Sequence, residues 1–138
     1  ARRRLSRFVQ PLRLILPLTL LPRPSLAQST QSALKLWMAA ANGQHDEVAA
    51  LLTGHLGQFY VDQINWRDGM GWTSLRAAVN YGHVACAQLL LENGAHVDIA
   101  DNRGDTPLMG ALVTNSEPET LVRLLLRHGA NATRCNEA

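Results

Sequence analysis

Apolar positions from about residue 33 onward fall into two kinds of short run, one rich in alanine and one rich in leucine. The alanine-rich runs end near Gly43 and Gly82, and the leucine-rich runs end at Gly94 and Gly129. A glycine after such a run suits the left-handed conformation that closes a helix. The pattern therefore predicts pairs of short helices and an all-α fold.

These helix pairs recur at a regular spacing. A block that starts at Asp68 aligns with one that starts at Asp101, with the turn glycine, the following threonine and the first leucine all 33 residues apart. A third copy lies upstream, with about six inserted residues between Thr53 and Gln63, and the last copy holds two extra residues near positions 115–118. One helix pair cannot bury its leucine face alone, so the copies must stack.

Candidate helix starts support this reading. Thr73 and Thr106 are placed to cap a helix with their hydroxyl groups, and Pro107 stands where the first helical residue needs no N–H. Ser116 and Glu119 match the S-x-x-E capping box, which predicts that they restart the second helix of the last copy after its insertion.

The blocks resemble the ankyrin repeat family, whose pattern is D-x-x-G-x-T-P-L-H-x-A-A-x-x-G-H followed by L-L-x-x-G-A-x-V-N. Gly82-His83 matches the G-H of that pattern and Gly94-Ala95 matches its G-A. The resemblance covers residues ~33–133, about three repeats. It implies an ankyrin-repeat solenoid of stacked helix–turn–helix units with β-turn fingers.

The sequence departs from the family pattern at the histidine of T-P-L-H. That position holds Arg76 in the second repeat and Met109 in the third, and Trp37 stands at the equivalent place in the first. The change removes a hydrogen-bonding residue that helps tie the turns together in the family. We therefore expect a stack less stable than an idealised one.

Domain limits follow from the same alignment. The expected order is a basic, Pro/Leu-rich tail (1–31), repeat 1 with its loop insertion (32–67), repeat 2 (68–100), repeat 3 (101–133) and a short final tail (134–138).

Positive charge is concentrated in the first tail. Residues 1–31 carry six of the 13 Lys/Arg and no acid, so residues 32–138 hold 13 − 6 = 7 Lys/Arg against 11 Asp/Glu, a net charge of 7 − 11 = −4. The basic balance of the whole chain is therefore no argument for binding nucleic acid.

The tail has two interpretations. Its basic head, apolar run and small residues fit a secretory signal cut after Ala27, or a mitochondrial presequence. Four prolines interrupt any helix there, and the run is too short to span a membrane, which favours a disordered or non-native extension. We expect a cytoplasmic or nuclear protein, or a secreted, periplasmic or mitochondrial one if residues 1–27 are a targeting segment.

Candidate binding residues follow from the resemblance, which implies that a partner protein contacts the turn tips and the inner face of the first helices. Trp, Tyr and Arg dominate interface energetics, since they bury a large area and keep a polar group. The alternative is that the two tryptophans of this region only pack between turns. The predicted contact residues are Trp66, Arg67, Met70, Trp72, Asn80, Tyr81, Asn102, Arg103 and Asp105.

The inserted segment Gly54–Gln63 adds a second candidate. It is expected to be a loop, and it contains Phe59 and Tyr60. This aromatic pair could anchor a partner or fold back as a lid over the first repeat.

No constellation for catalysis is visible. His83 and Cys86 lie three residues apart, but Cys86 takes an apolar position and His83 the G-H position of the family. The scattered histidines and two cysteines give no metal-ligand spacing, and no cofactor motif is present. We expect a non-enzymatic protein-interaction module or adaptor, monomeric or part of a longer scaffold, with no membrane partner in its mature form.

Overall fold

The computed structural model describes residues 25–54 and 57–133. Its helices, in chain order, are α1 (Leu26–Ala41), α2 (His45–Thr53), α3 (Gly57–Asp62), α4 (Ser74–Asn80), α5 (Val84–Glu92), α6 (Pro107–Val113) and α7 (Pro118–Arg127). These ranges contain no β-strand, so the all-α prediction is confirmed.

Six of the helices form two layers. The first helices of the three repeats, α1, α4 and α6, pack side by side as an inner layer, and the second helices, α2, α5 and α7, form an outer layer. Each inner helix also packs against the outer helix of its own repeat. The predicted solenoid of stacked helix pairs is therefore present.

Leucines fill the space between the layers. Leu75 of α4 and Leu90 of α5 are fully buried, as are Leu121 and Leu125 of α7. Burial of each such side chain stabilises the fold by about 1.5–3 kcal/mol. The stack is held together by this shared core, which runs through all three repeats.

Of the two threonines predicted to cap helices, one makes the capping hydrogen bond and the other does not. Thr73 caps α4, because its hydroxyl accepts a hydrogen bond from the amide of Arg76 at 3.2 Å. Thr106 stands at the same place before α6 in the expected extended conformation, and Pro107 follows it, but the Thr106 side chain makes no capping hydrogen bond. At α6 the proline therefore marks the helix start without help from the hydroxyl.

The capping box predicted from Ser116 and Glu119 is wrong. Helix α7 begins at Pro118, and the residue before it, Glu117, is the N-cap, with a left-handed φ of 47° and no side-chain capping bond. Ser116 therefore lies one residue too early to cap, and its amide donates to the Thr114 hydroxyl at 3.4 Å. Proline sets the start because its fixed φ suits the first helical position.

The inserted segment is largely helical, so the prediction of a loop is wrong there. Helix α3 occupies most of the insertion and packs against α1 and α2. Tyr60 lies in α3, and Ile64 follows in the turn just after its end. Both are buried, Tyr60 with 8% exposure. For Tyr60, the structure agrees with folding back onto the first repeat; the side chain of Phe59 lies outside the described part.

The first helix begins within the segment predicted as a tail. Ser25 caps α1 in a capping box: the Gln28 amide donates to the Ser25 hydroxyl at 3.3 Å, and the Ser25 amide donates to Gln28 Oε1 at 2.9 Å. The cleavage point considered after Ala27 would cut the first turn of this helix. The remaining predictions for residues 1–24 and 134–138 lie outside the described residues.

Candidate protein-binding surface

The turn tips before α4 and α6 share one construction. Asp68 Oδ1 accepts hydrogen bonds from the amides of Met70 and Trp72, both at 2.9 Å. Asp101 Oδ1 accepts from the two equivalent amides of its own turn at 2.8 and 3.0 Å. An aspartate at the start of each turn therefore folds the finger and presents the side chains at its tip.

Adjacent fingers are hydrogen-bonded to each other. The Asn102 amide donates to the Met70 carbonyl at 3.0 Å, and Asn102 Nδ2 donates to the Gly69 carbonyl at 2.9 Å. In return, Arg67 Nη2 donates to the Ala100 carbonyl at 3.0 Å. Arg67 and Asn102 were both predicted as partner contacts. Their polar groups instead join the fingers of the second and third repeats.

Arg76 makes a second connection between these repeats, one that the sequence analysis missed. The residue is 5% exposed, and Nη2 lies 3.5 Å from Asp101 Oδ2, itself buried. Nη1 donates to the Thr106 carbonyl at 3.5 Å, and the guanidinium lies over the Trp72 ring, 5.2 Å from its centroid. The arginine therefore ties the turns at the position where the family histidine is missing.

Gly110 makes room for this arginine. A Cβ atom at Gly110, inside α6, would overlap Arg76 Nη1. Glycine in a helix interior costs about 1 kcal/mol relative to alanine, so its presence there calls for a steric reason. A signal was available in the sequence, because arginine replaces the family histidine in the second repeat and a helix-interior glycine appears in the third.

Trp72 and Tyr81 meet at the inner side of the second repeat. Their rings pack edge to face, with centroids 6.3 Å apart and planes at 61°. Trp72 is half-buried, whereas 51% of Tyr81 is exposed. We call this pair the aromatic patch. The guanidinium of Arg76 also packs on this indole, so the tyrosine ring contacts a tryptophan that is itself held in place.

The other predicted contact residues differ in how far they are exposed. Met70 and Arg103 are exposed at the tips of their turns, and Asp105 is half-buried behind Arg103. Asn80 is half-buried beside Tyr81 in the chain, and Trp66 is half-buried in the segment between α3 and α4. The neighbouring inner helices expose Val113 and also Met38, which was not predicted as a contact.

The histidine–cysteine pair has a structural explanation. His83 Nε2 donates to the Ala41 carbonyl at the end of α1, at 3.1 Å, and its ring occupies the space that a Cβ on Gly43 would need. Gly43 has a φ of 71°, which also favours glycine. Cys86 is buried, and desolvation raises the pKa of its thiol, which disfavours the nucleophilic thiolate.

The described residues hold neither a metal-binding cluster nor a membrane-spanning helix. Residues 25–54 and 57–133 contain no group of three or more His, Cys, Asp or Glu side chains placed to hold a metal ion. Over the same residues, none of the helices combines the length and the apolar character needed to cross a bilayer.

Comparison with known proteins gives consistent matches. An ankyrin repeat-containing protein of Schizosaccharomyces pombe is 36% identical over 53% of this chain and 32% of its own length. The bovine SMC5-SMC6 complex localization factor protein 1 is 39% identical over 68% of this chain and 8% of its own length. The chain thus spans about a third or less of these relatives.

The fold and the family agree. The solved human ASB11 ankyrin repeat domain matches with a TM-score of 0.60 and 37% identity, over 70% of this chain and 40% of that one. A family model described as ankyrin repeats (3 copies) matches residues 35–136. The repeat pattern, the two helical layers and this match lead to one conclusion: the chain belongs to the ankyrin repeat family.

Proposed function

We propose that this chain binds a partner protein through the turn tips and inner helices of its second and third repeats, with the aromatic patch at the centre. Ankyrin repeats are in general protein–protein interaction modules. The observation that carries the proposal is the geometry of Tyr81, which is half exposed yet packed on the fixed ring of Trp72.

A ring supported in this way suits binding. Aromatic side chains bury about 150–250 Å² each at interfaces and are frequent among the residues that dominate affinity. Because Trp72 contacts both Arg76 and Tyr81, little freedom is left to lose when a partner covers the patch. The rim is mixed, with Met70 and Arg103 exposed on the two turn tips.

The partner should therefore present an apolar or aromatic side chain to Tyr81 and polar groups to the finger tips. Arg67 and Asn102 contribute to this surface by fixing the spacing of the fingers rather than by offering free polar groups. The named relatives differ in what they associate with, so none of their partners is assigned to this chain.

A second candidate is one section of a larger scaffold. It is favoured by the short share of its relatives that this chain covers, 32% and 8% in the two proteins named above. In either role the buried free thiol of Cys86 suits a reducing compartment such as the cytoplasm or nucleus.

The experiment is affinity capture with quantitative mass spectrometry, run with the full chain and with Tyr81→Ala. Tyr81 is the informative position, because half of its surface is exposed and its removal leaves the Arg76 contacts in place. If the patch dominates binding, capture of the specific partner should fall by about 30-fold, the equivalent of 2 kcal/mol.

The matched control is Leu26→Ala, which removes an exposed apolar side chain (85% exposed) from the first turn of α1, in a different repeat from the patch. This variant should capture the partner as the parent chain does, and both should keep the parent's circular dichroism spectrum. Equal capture by the parent and by folded Tyr81→Ala would reject the aromatic patch as the binding centre.

A further inference from the structure

Two helices of the stack are followed by an Asn-Gly pair. Asn42-Gly43 follows α1, and Asn93-Gly94 follows α5. Each asparagine is the C-cap of its helix, and each glycine has a positive φ, 71° and 93° respectively. A glycine after an asparagine leaves its peptide nitrogen open to the asparagine side chain, because it carries no Cβ that would hinder a close approach.

The backbone has nearly the same conformation at the two pairs. The φ and ψ angles are −87° and −2° at Asn42, and −99° and 16° at Asn93. In both pairs the glycine amide donates to the carbonyl three residues earlier, at 3.2 Å. These dihedral angles and hydrogen bonds favour neither pair, so the asparagine side chains make the difference.

The two asparagine side chains are held differently. Asn93 is half-buried, and its Nδ2 donates to the Leu89 carbonyl at 2.8 Å. Asn42 is exposed, and within the described residues its side-chain amide forms no hydrogen bond. The Asn42 side chain can therefore rotate toward the next peptide nitrogen, whereas the Asn93 side chain must first break its bond to the helix.

We propose that Asn42 is a site of spontaneous deamidation, and that its isoaspartyl product opens the joint between the first and second repeats. The Gly43 nitrogen gives up its proton to hydroxide and attacks Cγ of Asn42. The N–Cγ bond forms, the Cγ–Nδ2 bond breaks, and Nδ2 takes a proton from water and leaves as ammonia, so that a succinimide ring remains. Water then opens this ring. Cleavage of the N–Cγ bond gives aspartate, and cleavage of the bond from that nitrogen to the Asn42 backbone carbonyl carbon gives isoaspartate.

The contacts of His83 make this position sensitive to the change. His83 Nε2 donates to the Ala41 carbonyl at 3.1 Å, and the ring packs where a Cβ of Gly43 would stand. The second repeat therefore contacts the end of α1 on both sides of Asn42. In isoaspartate the main chain runs through Cβ and Cγ, so an extra atom separates these two contact points. The two contacts then no longer fit one His83 ring.

The aspartate product has a weaker effect. It keeps the length of the main chain and adds a negative charge at the C-terminal end of α1, where the helix dipole disfavours anions. Neither product touches the contacts of Arg76 with the third repeat or the aromatic patch. Deamidation therefore acts on the first joint of the stack, and the proposal is independent of the proposed binding surface.

The test is to incubate the full chain at mildly alkaline pH, folded in buffer and unfolded in urea, and to follow both pairs by peptide mass spectrometry. The unfolded chain gives the intrinsic deamidation rate of each pair. We expect the ratio of folded to unfolded rate to be at least about fivefold higher at Asn42 than at Asn93, the equivalent of one net hydrogen bond of about 1 kcal/mol. A ratio at Asn42 equal to or below that at Asn93 would overturn the proposal.

Asn42→Gln is the matched control, because it keeps an exposed amide at the C-cap but closes the corresponding larger ring far more slowly. Incubation should lower the urea midpoint of the parent chain and speed amide hydrogen exchange in α1, and it should leave Asn42→Gln unchanged. Fresh Asn42→Asp should lie only slightly below the parent, which separates the effect of isoaspartate from that of aspartate. An unchanged midpoint and unchanged exchange in a parent chain that has accumulated isoaspartate at Asn42 would reject the effect on the joint.

Discussion

The guanidinium group of Arg76 fills the space that a side chain at Gly110 would need, so the second and third repeats are fitted to each other at this point. Each residue departs from what its own helix would favour. Arginine places a charge at a position with 5% exposure, and glycine weakens the interior of α6. Each residue compensates for the other, because the glycine leaves room for the arginine side chain. The carboxylate of Asp101 supplies the opposite charge.

The first prediction is that one substitution changes the free energy of unfolding in opposite directions in two backgrounds. Gly110→Ala in the parent chain should lower the free energy of unfolding by about 1–3 kcal/mol, because the new methyl group displaces Arg76. In an Arg76→Ala background the space is empty, and the same substitution should raise the free energy of unfolding by up to about 1 kcal/mol through helix propensity. Urea unfolding of the four chains measures both effects.

The informative result is that Gly110→Ala destabilises the parent chain and stabilises the Arg76→Ala chain. A Gly110→Ala effect of equal size and direction in both backgrounds would show that the two residues do not share that space in solution.

The second prediction concerns the buried charge pair. Asp101→Asn keeps a side-chain oxygen for the turn amides but removes the charge that faces Arg76 at 3.5 Å. The arginine is then buried without its counter-charge, and the free energy of unfolding should fall by about 3 kcal/mol. Chemical denaturation monitored by circular dichroism is the measurement.

Asp68→Asn is the matched control, because Asp68 makes the same two turn hydrogen bonds 33 residues earlier and is less buried than Asp101. Asp68→Asn should lower the free energy of unfolding by well under half as much as Asp101→Asn does. Equal losses in the two variants would mean that turn formation, and not the ion pair with Arg76, accounts for the effect.

The third prediction separates a core role from a binding role for Tyr60. Because this ring is buried between α3 and the first repeat, Tyr60→Ala should lower the free energy of unfolding by about 3 kcal/mol or more. Tyr60→Phe keeps the ring and should retain most of the stability. A Tyr60→Ala chain with parental stability and weakened partner capture would instead identify Tyr60 as an anchor.

The stack itself could be predicted from the sequence because its signals recur. A turn aspartate, a cap threonine and a closing glycine appear in the same order in the second and third repeats, so each copy supports the other. Helix α3 was missed because it occurs once and is only six residues long, too short for apolar periodicity to be read. Its start at Gly57, three residues after Gly54, also resembles a loop.

The details of the candidate site depended on contacts across repeats. Arg76 and Gly110 are 34 residues apart, and their fit becomes visible only when the helices are placed side by side. Likewise, Arg67 and Asn102 were predicted as partner contacts from their places at the turn tips, and the hydrogen bonds that join them to the neighbouring finger were not. Such pairings are set by packing, which a single-sequence pattern does not contain.

The complementarity of Arg76 and Gly110 also restricts how this stack can evolve by gene duplication. A tandem copy of the second repeat would set the equivalent of Ala77, instead of glycine, against Arg76, and the added methyl group would collide with the guanidinium. A tandem copy of the third repeat would set its glycine against Met109 and leave no carboxylate–arginine pair to form. Unequal recombination at this boundary therefore preserves the packing only when the two repeats are inherited together.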